Sequence, residues 1–231
     1  MKNNFFDKYS REICGIPLYA IISSLVIFTA MSLVFFAGDF LIEILGTEYH
    51  NVKIPLIDDL VPYRPIMYIP YGLAYVFWII GMMVVAKAGV HHYTNFITAV
   101  SISYIVGMVI IIAFPTSLDR VAEGVYGSST NGILDDLAKI FYMNDGGRMG
   151  LKLFPSFHCL SSILCYLGVR GRPEISLAFR GFAFIATVII CASTLYCKQH
   201  YFADVPGGIL LGIICYAVTF KFNLGRRIFS I

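Results

Sequence analysis

The 231 residues are 58% hydrophobic and 13% charged, with a net charge of +3, whereas soluble domains are roughly 45–50% apolar and ~25% charged. Such a chain cannot hide its apolar surface from water in an ordinary soluble fold, and no nucleic-acid partner is expected. Apolar runs extend from residue 16 to residue 220, which leaves no room for a separate soluble module, so residues 1–231 are expected to form one membrane-embedded domain.

The chain opens with Lys2, Lys8 and Arg11 ahead of its first apolar run, as a signal peptide would. That run continues for over 20 residues with no small-residue cleavage site, so it reads as a retained first helix. Six stretches approach the roughly 17–25 residues a transmembrane helix needs: Ile16 to Ala37, Ile66 to Val85, Phe96 to Phe114, Gly150 or Ser156 to Val169, Leu177 to Leu195, and Phe202 to Phe220. The fourth is the weakest, because its uninterrupted part, Phe157 to Val169, has only 13 residues. It must begin before Pro155, or tilt and be shielded by its neighbours. The expected architecture is an all-α polytopic bundle of six transmembrane helices.

Placing the N-terminus in the cytoplasm gathers ten Lys and Arg residues on that side: Lys2, Lys8, Arg11, Lys87, Arg170, Arg172, Arg180, Lys221, Arg226 and Arg227. Only Asp7, Glu12 and Glu174 accompany them, while the other segments carry seven basic residues and eleven acids. That asymmetry favours N-in and C-in and turns the loops 38–65, 115–155 and 196–203 outward. Within the longest, Ile133 to Met143 has helix-like apolar spacing and reads as a short interfacial helix, with turns over Gly127 to Gly132 and Asn144 to Gly147.

The same topology brings chemistry to the outer edge. The start of helix four supplies Ser156 and His158, the loop before helix six supplies Lys198, Gln199, His200 and Asp204, and the end of helix three supplies Arg120. Two imidazoles, a carboxylate and several cations at one membrane depth suit a phosphate whose alcohol portion lies in lipid. A neutral imidazole can attack phosphorus while a carboxylate on its other nitrogen fixes the tautomer. A second imidazole can protonate the departing alkoxide. His200 with Asp204 has the spacing of such a pair if the segment is helical, and His158 is the candidate acid. Asp204 also precedes Val205-Pro206 and is a candidate N-cap of helix six, as Ser156 is of helix four.

The stretch FPSFHCLSS, followed 35 residues after His158 by STLYCKQHYFADVPGG, resembles the second and third signatures of the type 2 phosphatidic acid phosphatase (PAP2) superfamily, the membrane lipid phosphatases related to vanadium haloperoxidases. The likeness is to a branch containing inositol phosphorylceramide synthase-like proteins, whose third signature is matched by Ser193, Thr194, Lys198, Gln199, His200, Tyr201, Asp204 and Val205. The segments Ile57 to Tyr71 and Phe114 to Arg120 resemble that branch more weakly, so the likeness covers about residues 57–210. It implies a haloperoxidase-like helical core with His200 as nucleophile, Asp204 as its orienting carboxylate and His158 as general acid. Arg120, Ser156 and Lys198 would bind the phosphate. It implies no cofactor and no metal; the substrate would be a membrane lipid mono- or diphosphate, with water or an alcohol as acceptor. The charge balance, with no transit-like segment, leads us to expect the site at the outward face of a bacterial inner membrane.

The sequence departs from the superfamily in two places. The usual first signature, a Lys and then Arg-Pro, is absent: Ala113 stands seven before Arg120, and Val121 replaces the proline. Thr194 stands where most members of the superfamily have Arg. The Arg64-Pro65 pair belongs to another loop and lacks its Lys, so Arg64 is at best accessory, as are Arg148 and Lys152 ahead of helix four. Asp58, Asp59, Asp135 and Asp136 read as solvated loop charges or caps, and His91 with His92 as an inner loop pair. Gly207 and Gly208 suit close helix packing. The six cysteines form no C-x-x-C and are given no role.

Overall fold

A computed structural model describes residues 5–125, 132–144 and 147–229. The turns expected over Gly127 to Gly132 and Asn144 to Gly147 lie outside them except at residues 132, 144 and 147. In chain order the elements are α1 (Phe5–Lys8), β1 (Glu12–Ile13), β2 (Ile16–Pro17), α2 (Leu18–Leu45), α3 (Pro55–Asp58), α4 (Tyr68–Val85), α5 (Val90–Ala113), β3 (Ser117–Asp119), α6 (Ile133–Asn144), β4 (Met149–Leu151), α7 (Phe157–Val169), α8 (Leu177–Tyr196), α9 (Asp204–Phe222) and α10 (Leu224–Phe229). The protein is an integral membrane bundle. Its helices follow from the solvent: in hydrocarbon each backbone N–H and C=O must be satisfied inside the chain, and a helix does this segment by segment.

Among the described residues five helices are long and apolar enough to cross a membrane, one fewer than the six expected. The missing one is α7, whose 13 residues reach about 20 Å at 1.5 Å per residue, short of the ~30 Å hydrocarbon core. It does not begin at Gly150, because the chain before it is extended and finds its hydrogen bonds elsewhere. The Leu153 and Phe154 N–H groups donate to Thr116 Oγ1 at 3.1 and 2.9 Å, Lys152 N–H to Thr116 O at 2.9 Å, and Ser156 N–H to Asp204 O at 3.1 Å. Protein, not lipid, surrounds this segment, so non-helical backbone is tolerated there.

Two other boundaries differ from expectation. The first helix runs to Leu45 and ends on left-handed Gly46, because the apolar pattern resumes beyond the Gly38-Asp39 interruption. Helix α5 starts at Val90, so His91 and His92 are helical and not a loop pair. His92 is buried, with Nε2 2.7 Å from Gly168 O. The short helix expected over Ile133 to Met143 appears as α6.

The core is filled mainly by α4, α5 and α7, with α2, α8 and α9 packed around them. On α4 the division is visible residue by residue: Tyr68, Tyr71, Ala74, Trp78 and Met82 are buried, while Ile69, Leu73, Val76 and Ile80 are exposed on the opposite face, where a bilayer would cover them. The Phe6 and Phe229 rings meet edge to face at 5.3 Å, so both ends of the described chain share one end of the bundle. The antiparallel β3–β4 pair, in which Leu118 faces Gly150, belongs to the other end, with α6 and the start of α7.

Glycine lets α9 lie against α7. A Cβ on Gly208 would stand 2.2 Å from the Ser156 carbonyl oxygen and 3.1 Å from Leu160 N, and backbone cannot step aside as a flexible side chain can. Gly208→Ala is therefore expected to lose about 2–4 kcal/mol of stability, read as a lowered thermal midpoint in detergent. It should also impair the site that Ser156 and Asp204 build at the same contact.

Candidate active site

Helix α8 stops at Tyr196 and the chain reverses through Lys198, which is left-handed at φ 51°. The Thr194 carbonyl holds the turn, accepting from the N–H groups of Gln199 and His200 at 3.0 and 3.2 Å. Residues 200–203 are not helical, so the helix-spacing argument for His200 and Asp204 does not apply. The pair forms anyway: Asp204 stands at the first position of α9, and its Oδ2 lies 3.1 Å from His200 Nδ1 while accepting from Tyr201 N–H at 2.9 Å. It is not the N-cap, which is Ala203. Since a carboxylate only accepts, Nδ1 carries the proton and Nε2 holds a free electron pair.

That Nε2 lies 3.2 Å from Ser156 Oγ. Ser156 is the N-cap of α7, its Oγ also accepting from Cys159 N–H, so one side chain starts the helix and touches the imidazole. His158, two residues further in, has its ring centroid 6.3 Å from that of His200. It stacks on Tyr71 at 3.9 Å and meets the edges of Trp78 and Tyr75 at 5.0 and 5.5 Å. Its Nε2 is buried and has no hydrogen-bond partner. Both imidazoles line a cavity of about 140 Å³ whose other walls include Phe35, Trp78, Phe141, Lys152 and Gln199.

The remaining expected site residues fall in different places. Arg120 is fully buried beside the cavity. Its guanidinium donates to Gln199 Oε1 at 2.8 Å and to Gly147 O at 2.6 Å, and lies 4.6 Å over the Tyr142 ring. Gln199, which does line the cavity, therefore stands between Arg120 and the histidines. Lys198 turns away: its Nζ donates to Asp58 O at 2.8 Å and lies 3.5 Å from Glu123 Oε2. Arg148 is exposed and lies 3.8 Å from Asp119, and Arg64 is an exposed residue outside the cavity wall. Lys152 is in the wall.

Several supporting residues carried no clear signal. Asp58 is not a solvated charge: it is 3% exposed, with Oδ2 accepting from Ile54 N–H at 2.6 Å and Oδ1 from Phe202 N–H at 2.7 Å, so it clamps the 54–58 turn to the His200 loop. Asp59 is exposed and paired with Lys53, and Asp136 with Lys139; the Asp135 side chain is outside the description. Glu123 contacts Lys53, Lys198 and Tyr201 at once. The carboxylates of Asp59 and Glu123 hold the Lys53 ammonium above the usual lysine range. Burial, with Glu123 alongside, pushes the Tyr201 phenol up. These groups therefore stay charged and neutral respectively at neutral pH, and act as structure. The rings around His158 had a visible signal: positions 71, 75 and 78 share one helix face.

The PAP2 superfamily profile matches residues 61–218, more than half of the chain. The chain belongs to the PAP2 superfamily. That region runs from the loop before α4 to the last turns of α9 and contains every group around the cavity except those of α2. PAP2 membership points to hydrolase or phosphotransferase chemistry. Among the described residues no three His, Cys, Asp or Glu side chains gather as a metal site. No curated protein and no solved structure matches the chain significantly.

Proposed function

We propose that the chain is a metal-independent lipid phosphate phosphatase working through a phosphohistidine on His200. The observation that carries this is the held imidazole: Nδ1 on the Asp204 carboxylate, Nε2 on Ser156 Oγ, at the wall of a cavity that an unpartnered His158 shares. In the proposed first step the Nε2 electron pair forms the N–P bond as the P–O bond to the lipid breaks, and His158 gives its Nε2 proton to the departing oxygen. Asp204 stabilises the imidazolium-like adduct through the Nδ1 proton. Water then attacks phosphorus, His158 takes its proton, and the N–P electron pair returns to His200.

The Ser156 hydroxyl, displaced from Nε2 by substrate, is the nearest donor to the phosphoryl oxygens, and the N-terminus of α7 adds the favourable end of its dipole. Arg120 is proposed to supply positive charge behind Gln199, and Lys198 to hold the loop that carries His200. The lipid chain would leave the cavity between α2 and α4. The charge asymmetry of the sequence supports an outward-facing site, as at the periplasmic side of a bacterial inner membrane.

Asp204→Asn is expected to lower kcat by about a hundredfold to ten-thousandfold with little change in KM, because the wrong tautomer is then favoured. The function itself is tested with purified protein in detergent containing EDTA, supplied with phosphatidate, phosphatidylglycerol phosphate or a polyprenyl diphosphate, with and without an alcohol acceptor. Inorganic phosphate released despite EDTA supports the phosphatase. Loss of activity with EDTA, or products formed only with the alcohol, would overturn it, the latter in favour of a head-group transferase.

A further inference from the structure

Lys152 is a costly residue for its location. Its side chain is 1% exposed, and its backbone is left-handed at φ 60°, a conformation that disfavours any side chain but glycine's. Its Nζ donates to Phe35 O at 2.9 Å and to Asp39 Oδ2 at 2.7 Å, and sits 4.2 Å over the Phe35 ring. An apolar side chain would fill the same volume without burying a charge, so packing does not explain a lysine here. Its surroundings are those of the active cavity: Lys152 and Phe35 line it together with His158, Gln199 and His200. Gly38 packs beside the lysine stem, where a Cβ would stand in ordinary contact with Lys152 Cδ at 3.5 Å.

The partner is the telling half of the pair. Asp39 is 53% exposed, in contrast to the lysine, so its carboxylate is less closely enclosed than the ammonium and is the partner that can give way to another anion. We propose that Lys152 is a second anion subsite of the cavity, exchanging Asp39 for an anionic oxygen of the head group beyond the phosphoryl that His200 receives. The inference rests on the reading of His200 as the phosphoryl-accepting group. The site then prefers ligands with two adjacent anionic groups over ligands with one, and Asp39 occupies the subsite until such a ligand arrives.

The test is calorimetric binding of methylenediphosphonate and methylphosphonate, neither of which can be hydrolysed, to the purified full chain in detergent. Wild-type protein should bind the diphosphonate at least about tenfold tighter, the worth of one charged hydrogen bond. Lys152→Met should bring the two affinities to within about threefold of each other, and Asp39→Asn should widen the gap by freeing the cation. Equal affinities in the wild type, or an unchanged ratio in Lys152→Met, would overturn the proposal. Should Lys152→Met fail to fold, Asp39→Asn decides alone, an unchanged or smaller ratio counting against the subsite. His200→Ala tests the separate reading through turnover: phosphate release from the preferred lipid that is undiminished in this variant fails the His200 assignment, while the Lys152 comparison of the two phosphonates stands on its own.

Discussion

His200→Ala is expected to reduce phosphate release from the preferred lipid by at least about a thousandfold, because the variant lacks the atom that forms the covalent bond. The loss should appear in kcat. Substrate binding should survive largely intact, since most of it comes from burying the lipid chain and from donors that remain, Ser156 among them. The fold should survive as well: the loop is held by the Thr194 carbonyl, by Asp58 and by the Tyr201 N–H bond to Asp204, none of which uses the imidazole. A thermal midpoint within a few degrees of wild type, measured alongside turnover, separates lost chemistry from lost structure.

His158→Ala is expected to cost about a hundredfold to ten-thousandfold on lipid substrates, the usual worth of a positioned general acid. The same variant should lose less than about tenfold in the first-turnover release of p-nitrophenolate from p-nitrophenyl phosphate, whose leaving group departs without a proton, although the later attack of water slows for both substrates. A purely structural role for His158 would depress both substrates alike. The environment makes the contrast sharp, because the ring is fixed between Tyr71, Tyr75 and Trp78 while its Nε2 is unengaged. Removing the side chain deletes a proton carrier and leaves an aromatic pocket, with His200 still paired to Asp204 on the neighbouring loop.

The long helices were legible because lipid imposes a simple demand, some twenty apolar residues without interruption. α7 escaped that rule because its missing turns are replaced by bonds from Thr116 and Asp204, partners far away in sequence. The His200–Asp204 pair was legible from signature spacing, although the reason first given, a helix, was not the one that operates. Lys198 shows why residue type alone does not place a charge: a left-handed backbone aims it at Asp58 and Glu123, away from the cavity. Lys152, whose position reads as an accessory head-group contact or an anchor of helix four, is in the cavity wall for the same kind of reason. Asp58 reads as a solvated loop charge or a cap; it does accept from Ile54 N–H at the start of its own turn, but its second partner, the Phe202 N–H, is a distant backbone atom that a sequence does not distinguish.

The central claim is the covalent bond to His200. It is tested most directly by quenching turnover of a phosphate-labelled lipid in base and mapping the label. The account predicts an acid-labile, base-stable phosphoryl group on the peptide containing His200, formed in the presence of EDTA and absent from His200→Ala. A label on another residue, or undiminished phosphate release by His200→Ala, would contradict it.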